Sequence, residues 1–299
     1  MKLATFFLSG FFSAHALAGL TGSVKIDGSS TVFPISEAVA EEFQKANAGV
    51  KVTVALSGTG GGFKKFVANE IDIADASRTI KKEEAEAAQK ANILWTELPI
   101  AYDGITIVVN PKNTWAKTLT KEQLKKLWEP ESKVKTWKDL DASWPDSKIK
   151  LYGPGADSGT FDYFTEHVNG KAKAIRPDFT ASEDDNALVK GVAGDKDALG
   201  YFGISYYEAN AKKVKSVPIA GADGKFVSPT VETVKDGTYP ISRPLFIYVN
   251  HTSMARAEVS SFVNYYLTNA KKLVSETGYV PMTDAQYKAG LAKIAAIKK

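Results

Sequence analysis

Three short loops carry the residue types that hold small anions: DGSSTVFP (27–34), SGTGGGF (57–63) and DSGTFDYF (157–164). Each follows an apolar, strand-like run, namely VKI (24–26), VKVTVAL (50–56) and KIKLYG (148–153), and each opens a helix-like run. A helix leaves its first N–H groups unpaired and ends there in the positive pole of its dipole, so such a junction attracts an oxyanion. Glycine lets backbone come close to a ligand, and hydroxyls donate or accept as the ligand requires. Ser30, Thr31, Ser57, Asp157 and Ser158 are equally the residues that cap helices in proteins with no ligand at all. Three loops of one design, all at the carboxyl ends of strand-like runs, favour the anion reading. IDIADASRTI (71–80) adds Arg78, a planar cationic fork suited to an oxyanion, directly after a strand.

The same inventory argues against catalysis. The chain has no cysteine and three histidines. His15 falls in the N-terminal apolar run, His167 within a helical stretch and His251 after a strand, so general-base candidates are thin and no cysteine nucleophile is present. SGTGGGF lacks the GK[ST] ending of a nucleotide loop, and no HExxH-type spacing appears, so neither a cofactor nor a metal is expected.

The elements that must position the loops alternate. Helical patterns near 33–46, 62–69 and 81–91 are interleaved with strands at 24–26, 50–56 and 71–75, followed by the long β-rich run LPIAYDGITIVVN (98–110). This rhythm predicts an α/β fold with a largely parallel sheet. From 114 the chain becomes richer in helix, loop and tryptophan, with Trp115, Trp128, Trp137 and Trp144 expected to pack helices. ALGYFGISYYEAN (198–210) reads as strand, glycine turn and helix, with its aromatics in packing roles, and PLFIYVN (244–250) is again a strand. Closing helices follow at 256–270 and 284–297. The two strands 98–110 and 244–250 therefore bracket the middle, predicting one lobe of residues 19–109 plus 246–299, a second of 110–245, and a ligand cleft between them.

The 299 residues are 44% hydrophobic and 24% charged, enough for two cores. The net charge of +4 is dispersed through mixed-sign faces such as KKEEAEAAQK, so nucleic acid is not an expected partner. MKLATFFLSGFFSAHALAG has one early lysine, an apolar run and a small-x-small end, predicting a signal peptide over 1–18. The run is shorter than the ~20 residues a membrane span needs, and without cysteine no thiol is available for a lipid anchor. A soluble periplasmic protein is expected.

DGSSTVFP, SGTGGGF, DIADASR, AYDGITIVVNP, GADSGTFDYF, ALGYFGISYY, YPISRPLFIYVN and ETGYVPM together, in this order, resemble the phosphate-binding proteins that serve ATP-driven phosphate importers. The resemblance spans nearly the whole chain after residue 18. It implies a periplasmic-binding-protein fold of the second structural class, a monomer that closes on dehydrated phosphate and delivers it to an integral-membrane permease. By position it implies phosphate contacts from Ser30, Thr31 and the Val32 N–H, from Ser57 and Gly58, and from Ser158, Gly159 and Thr160. The sequence departs from the enteric pattern at two places. Arg78 occupies the position of a carboxylate, and Pro154 stands near the place of an arginine. A carboxylate accepts a hydrogen bond from protonated phosphate and repels sulfate, which has no proton to give. Asp157 is the candidate acceptor, with Asp75 and Asp103 behind it. The alternatives are a binding protein for another tetrahedral oxyanion, such as sulfate, molybdate or arsenate, and a phosphoryl-transfer enzyme built on the same loops. An acidic group lining the pocket separates phosphate from sulfate; a positioned general base would mark the enzyme.

Overall fold

The structure, a computed structural model, describes residues 19–156, 158–182 and 184–297; the expected leader (1–18) and Asp157 lie outside them. The chain opens with β1 (Gly22–Gly28), α1 (Phe33–Ala46), β2 (Val50–Leu56), α2 (Thr59–Val67), β3 (Ile73–Ala76), α3 (Lys82–Lys90) and the long β4 (Trp95–Val109). It continues through α4 (Lys121–Trp128), β5 (Lys150–Gly153), α5 (Gly159–Asn169), β6 (Thr180–Ala181), α6 (Asp185–Gly194), β7 (Ala198–Gly203) and α7 (Ile204–Asn210). Next come β8 (Lys215–Ser216), β9 (Ile219–Ala220), β10 (Phe226–Val227), α8 (Val231–Lys235) and β11 (Ser242–Asn250). The chain closes with α9 (Ala257–Glu276), β12 (Val280–Pro281) and α10 (Asp284–Ala295).

The main sheet runs β2-β1-β3-β11-β4-β7-β5-β6, with β8 and β12 also pairing with β4. It is mixed rather than largely parallel. The pairs β1–β2, β1–β3, β5–β6 and β5–β7 are parallel, whereas β11 lies antiparallel between β3 and β4, and β4 is antiparallel to β7. The difference comes from β11, which returns from the far end of the molecule and inserts between two strands of the first half. The βαβ rhythm on either side of it is local and remains parallel.

Amphipathic spacing decides which helix faces are covered. On α1, Ile35, Val39 and Phe43 recur every four residues and are buried with Val24, Ile26 and Phe262. A second core gathers Ile105, Ile107, Val109, Leu124, Trp128, Phe164 and Tyr201. The change of core within β4 falls between Ala101 and Ile105, and within the returning chain between Ile241 and Leu245. Ile105, Ile107 and Val109 thus pack with the second core. The tryptophans pack as expected: Trp128 meets Phe164, Phe179 and Tyr201 edge-on at centroid distances of 5.7, 5.7 and 5.1 Å, and Trp115 and Trp144 flank Trp137.

Candidate functional site

The loops after β1, β2 and β3 and the first two turns of α5 converge on a cavity of about 270 Å³ where the two cores meet. Its walls are Ser29, Ser30 and Thr31 from the first loop, Gly58, Thr59 and Gly60 from the second, Ser77, Arg78 and Lys81 after β3, Asp162 and Glu166 from α5, and Arg243 from β11. A wider cavity of about 520 Å³ adjoins it and shares Ser77, Arg78, Glu166 and Arg243.

Backbone geometry gives the second loop its part. Gly58 precedes α2 at φ 77°, a left-handed conformation that glycine adopts without penalty, and no side chain caps the helix. The first turn of α2 therefore offers its N–H groups and dipole to the cavity wall it forms. Ser57, an expected contact, is turned away: its hydroxyl donates to Asp27 Oδ1 at 2.8 Å. Asp27 also pairs with Lys65. Burial opposes ionisation of Asp27, but the bonds from Lys65 and Ser57 prevail and hold its carboxyl below its ordinary value.

In the first loop, the expected Ser30 and Thr31 both reach across to the other core. Ser30 Oγ donates to Asp162 Oδ2 at 3.0 Å, and Thr31 Oγ1 donates to the Gly159 carbonyl at 3.2 Å. The Val32 N–H is committed to the Ser29 carbonyl at 3.2 Å, and its side chain is buried in the first core. In the third loop, Ser158 is an N-cap, accepting the Phe161 N–H. Gly159 lies so close to the first loop that a Cβ there would stand 2.3 Å from Thr31 Cα. Thr160 is half-buried on the same turn. The structure thus brings together Ser30, Thr31, Gly58 and Arg78 around the cavity with Gly159 against them, while the Ser57 hydroxyl and the Val32 N–H are bonded to Asp27 and Ser29.

The charges are arranged unequally. Arg78 makes a two-pronged pair with Glu84, each bond 2.8 Å, and its guanidinium lies 5.5 Å from the Phe63 ring centre. The Glu84 bond raises the Arg78 pKa above its usual value. Arg243, outside the expected set of contacts, is held differently. Its side chain is 14% exposed; Nη1 donates to the Ser77 carbonyl at 3.2 Å and Nη2 to Thr31 Oγ1 at 3.0 Å. The guanidinium sits 3.8 Å over the Tyr163 ring, a cation–π contact with the second core. Its nearest carboxylate, Asp103, stands 3.8 Å away, beyond hydrogen-bond range, and Nε has no partner among the described residues. Burial pushes the Arg243 pKa down, countered by Asp103. A buried cation so lightly compensated favours an anion beside it.

Two carboxylates of α5, Asp162 and Glu166, line the same cavity. Asp162 takes the Ser30 hydroxyl on Oδ2, while its Oδ1 is buried without a partner among the described residues. Asp75, named above as a reserve acceptor, instead receives the Ser36 hydroxyl at 3.0 Å beneath α1, and burial lifts its pKa to about 8. Asp103 stands behind Arg243, its carboxyl lifted to about 6 by burial against the pull of Arg243. His251 bonds Thr96 at 2.9 Å, and burial lowers His167 to about 4. Asp162 was within reach of sequence reasoning, since it follows Thr160 by two residues in DSGTFDYF. For Arg243 the signal was a cation in the otherwise apolar strand SRPLFIYVN.

Comparison with known proteins agrees with this geometry. A family model described as a PBP superfamily domain matches residues 13–270. SphX of Synechococcus elongatus is 48% identical over 293 residues, covering 97% of this chain and 86% of that protein. The phosphate-binding protein PstS of Staphylococcus aureus is 41% identical, covering 93% and 84%. The crystal structure of a possible phosphate binding protein from Planctomyces limnophilus superposes with a TM-score of 0.91 at 46% identity, covering 94% of this chain and all (100%) of that one. With a polar cavity where two cores meet and likeness over nearly its whole length, the chain belongs to the PBP superfamily, in the group of the SphX and PstS proteins with the type II periplasmic-binding-protein fold.

Proposed function

We propose that this protein captures inorganic phosphate in the cleft and delivers it to the permease of an ATP-driven importer. The observation that carries the reading is the cavity's polarity. The uncapped N-terminus of α2 and the buried Arg243 supply donors, and Asp162 Oδ1 supplies one unsatisfied acceptor. A tetrahedral oxyanion that still bears a proton matches that set; a fully deprotonated one leaves Asp162 facing like charge. The names of the relatives, phosphate-binding protein PstS among them, support the same ligand. Asp162 therefore replaces Asp157 as our candidate for the proton acceptor. Ser30, Thr31, Gly58, Thr59, Gly60, Ser158, Gly159, Thr160, Arg78 and Arg243 line or flank the anion.

The two lobes divide near Asp103–Gly104 and Ser242–Arg243, where the strands pass from one core to the other. Ligand shifts the population toward the closed arrangement, in which both lobes touch it. No helix among the described residues is long and apolar enough to cross a membrane. We assign export to the leader at 1–18 and action to the periplasm as a monomer, in binding rather than catalysis.

The test is Asp162→Asn, with phosphate and sulfate binding measured separately on anion-stripped protein. Losing one charge-assisted hydrogen bond lowers the phosphate-to-sulfate affinity ratio by about 30-fold. An unchanged ratio removes Asp162 from the site.

A further inference from the structure

Asp103 and Arg243 are registered partners across the β4–β11 pair, at the point where both strands leave one core for the other. Asp103 is buried and Arg243 largely so, and each holds a buried atom without a partner among the described residues: Asp103 Oδ2 and Arg243 Nε, 3.8 Å apart. A shift of about 1 Å would make this separation a hydrogen bond. Meanwhile Nη1 and Nη2 are drawn toward Ser77 and Thr31 on the cavity side. The guanidinium thus lies between two rivals, the carboxylate behind it and whatever anion occupies the cavity in front.

We propose that Asp103 is a positioning residue that acts as an internal counter-anion, competing with bound phosphate for Arg243 and so setting how readily the site releases its ligand. The inference rests on phosphate as the ligand. With the cavity empty, Asp103 offsets the burial of the Arg243 charge; without Asp103, phosphate alone does so, and it is held more tightly. The other groups facing this pair are Tyr163 on α5 and Tyr279 just before β12, with Glu166 on α5 acting on Arg243 from farther off. Because burial lifts the Asp103 carboxyl to about 6, its charge is present at pH 7.5 and mostly lost at pH 5.

The experiment compares wild type with Asp103→Asn by calorimetry and by stopped-flow phosphate release, at pH 7.5 and pH 5. At the higher pH the variant should bind phosphate at least about fivefold more tightly and release it correspondingly more slowly. At pH 5 the two proteins should agree within about twofold, because wild-type Asp103 is then neutral too, a convergence that a merely structural role would not produce. Asp103→Ser, also uncharged, is the second variant should the asparagine misfold, and it should behave alike. Equal or weaker binding by the variants at pH 7.5, or a ratio unchanged between the two pH values, overturns the proposal. If wild type binds no phosphate, the ligand reading itself falls and this inference with it.

Discussion

Gly159→Ala tests the contact between the first loop and α5 on which closure of the cleft would rest. The added Cβ would stand 2.3 Å from Thr31 Cα and 2.8 Å from Thr31 N, backbone atoms that cannot rotate away. Carbon atoms pack comfortably at about 3.5–4.0 Å, so the first loop and α5 must part by more than about 1 Å. That separation breaks the Thr31 Oγ1 bond to the Gly159 carbonyl and stretches the Ser30 bond to Asp162 out of range. One neutral bond contributes about 1 kcal/mol and one to a charged group about 2 kcal/mol. If phosphate is bound only in the closed arrangement, the loss of about 3 kcal/mol weakens it about 100-fold. Isothermal titration of stripped protein measures this, with circular dichroism to confirm that the helices are intact. Affinity within about threefold of wild type in a folded variant would refute the closure geometry.

Two further predictions concern stability. The Asp75 carboxyl is raised to about 8 from 3.8, so the folded state keeps a proton that the unfolded chain releases. Ligand-free stability therefore falls as pH rises from about 4 to 8, by up to about 1.4 kcal/mol per pH unit, and Asp75→Asn removes most of that slope while keeping an acceptor for Ser36. Urea unfolding at pH 5 and pH 8 checks it; parallel pH dependence in the two proteins contradicts it. Trp128→Ala empties the centre of the second core, where three aromatic rings meet the indole, and costs about 4 kcal/mol in urea unfolding. A loss below about 1 kcal/mol would mean that the core repacks around the gap.

Periodic segments were legible from sequence because their own burial pattern specifies them. The helix expected near 33–46 is Phe33–Ala46, and the run expected at 50–56 is the strand Val50–Leu56. Two-residue strands such as Lys215–Ser216 and Val280–Pro281 were not, since they exist only through pairing with β4. Within the site, local chemistry identified the loops but not the aim of each side chain. Ser57 bonds Asp27, thirty residues earlier, and nothing near Ser57 in the chain announces that. Arg243 was missed for a related reason. Its role depends on Thr31, 212 residues away, and on Ser77, 166 residues away, contacts that arise only when β11 threads between β3 and β4.

The most direct measurement of the central claim is titration calorimetry on the chain from residue 19, unfolded and refolded to strip bound anion, with phosphate and sulfate added separately at pH 7.5. Tight one-to-one binding of phosphate and far weaker binding of sulfate are expected if Asp162 accepts the proton that phosphate alone carries. Equal binding of both anions, sulfate alone, or neither would contradict it.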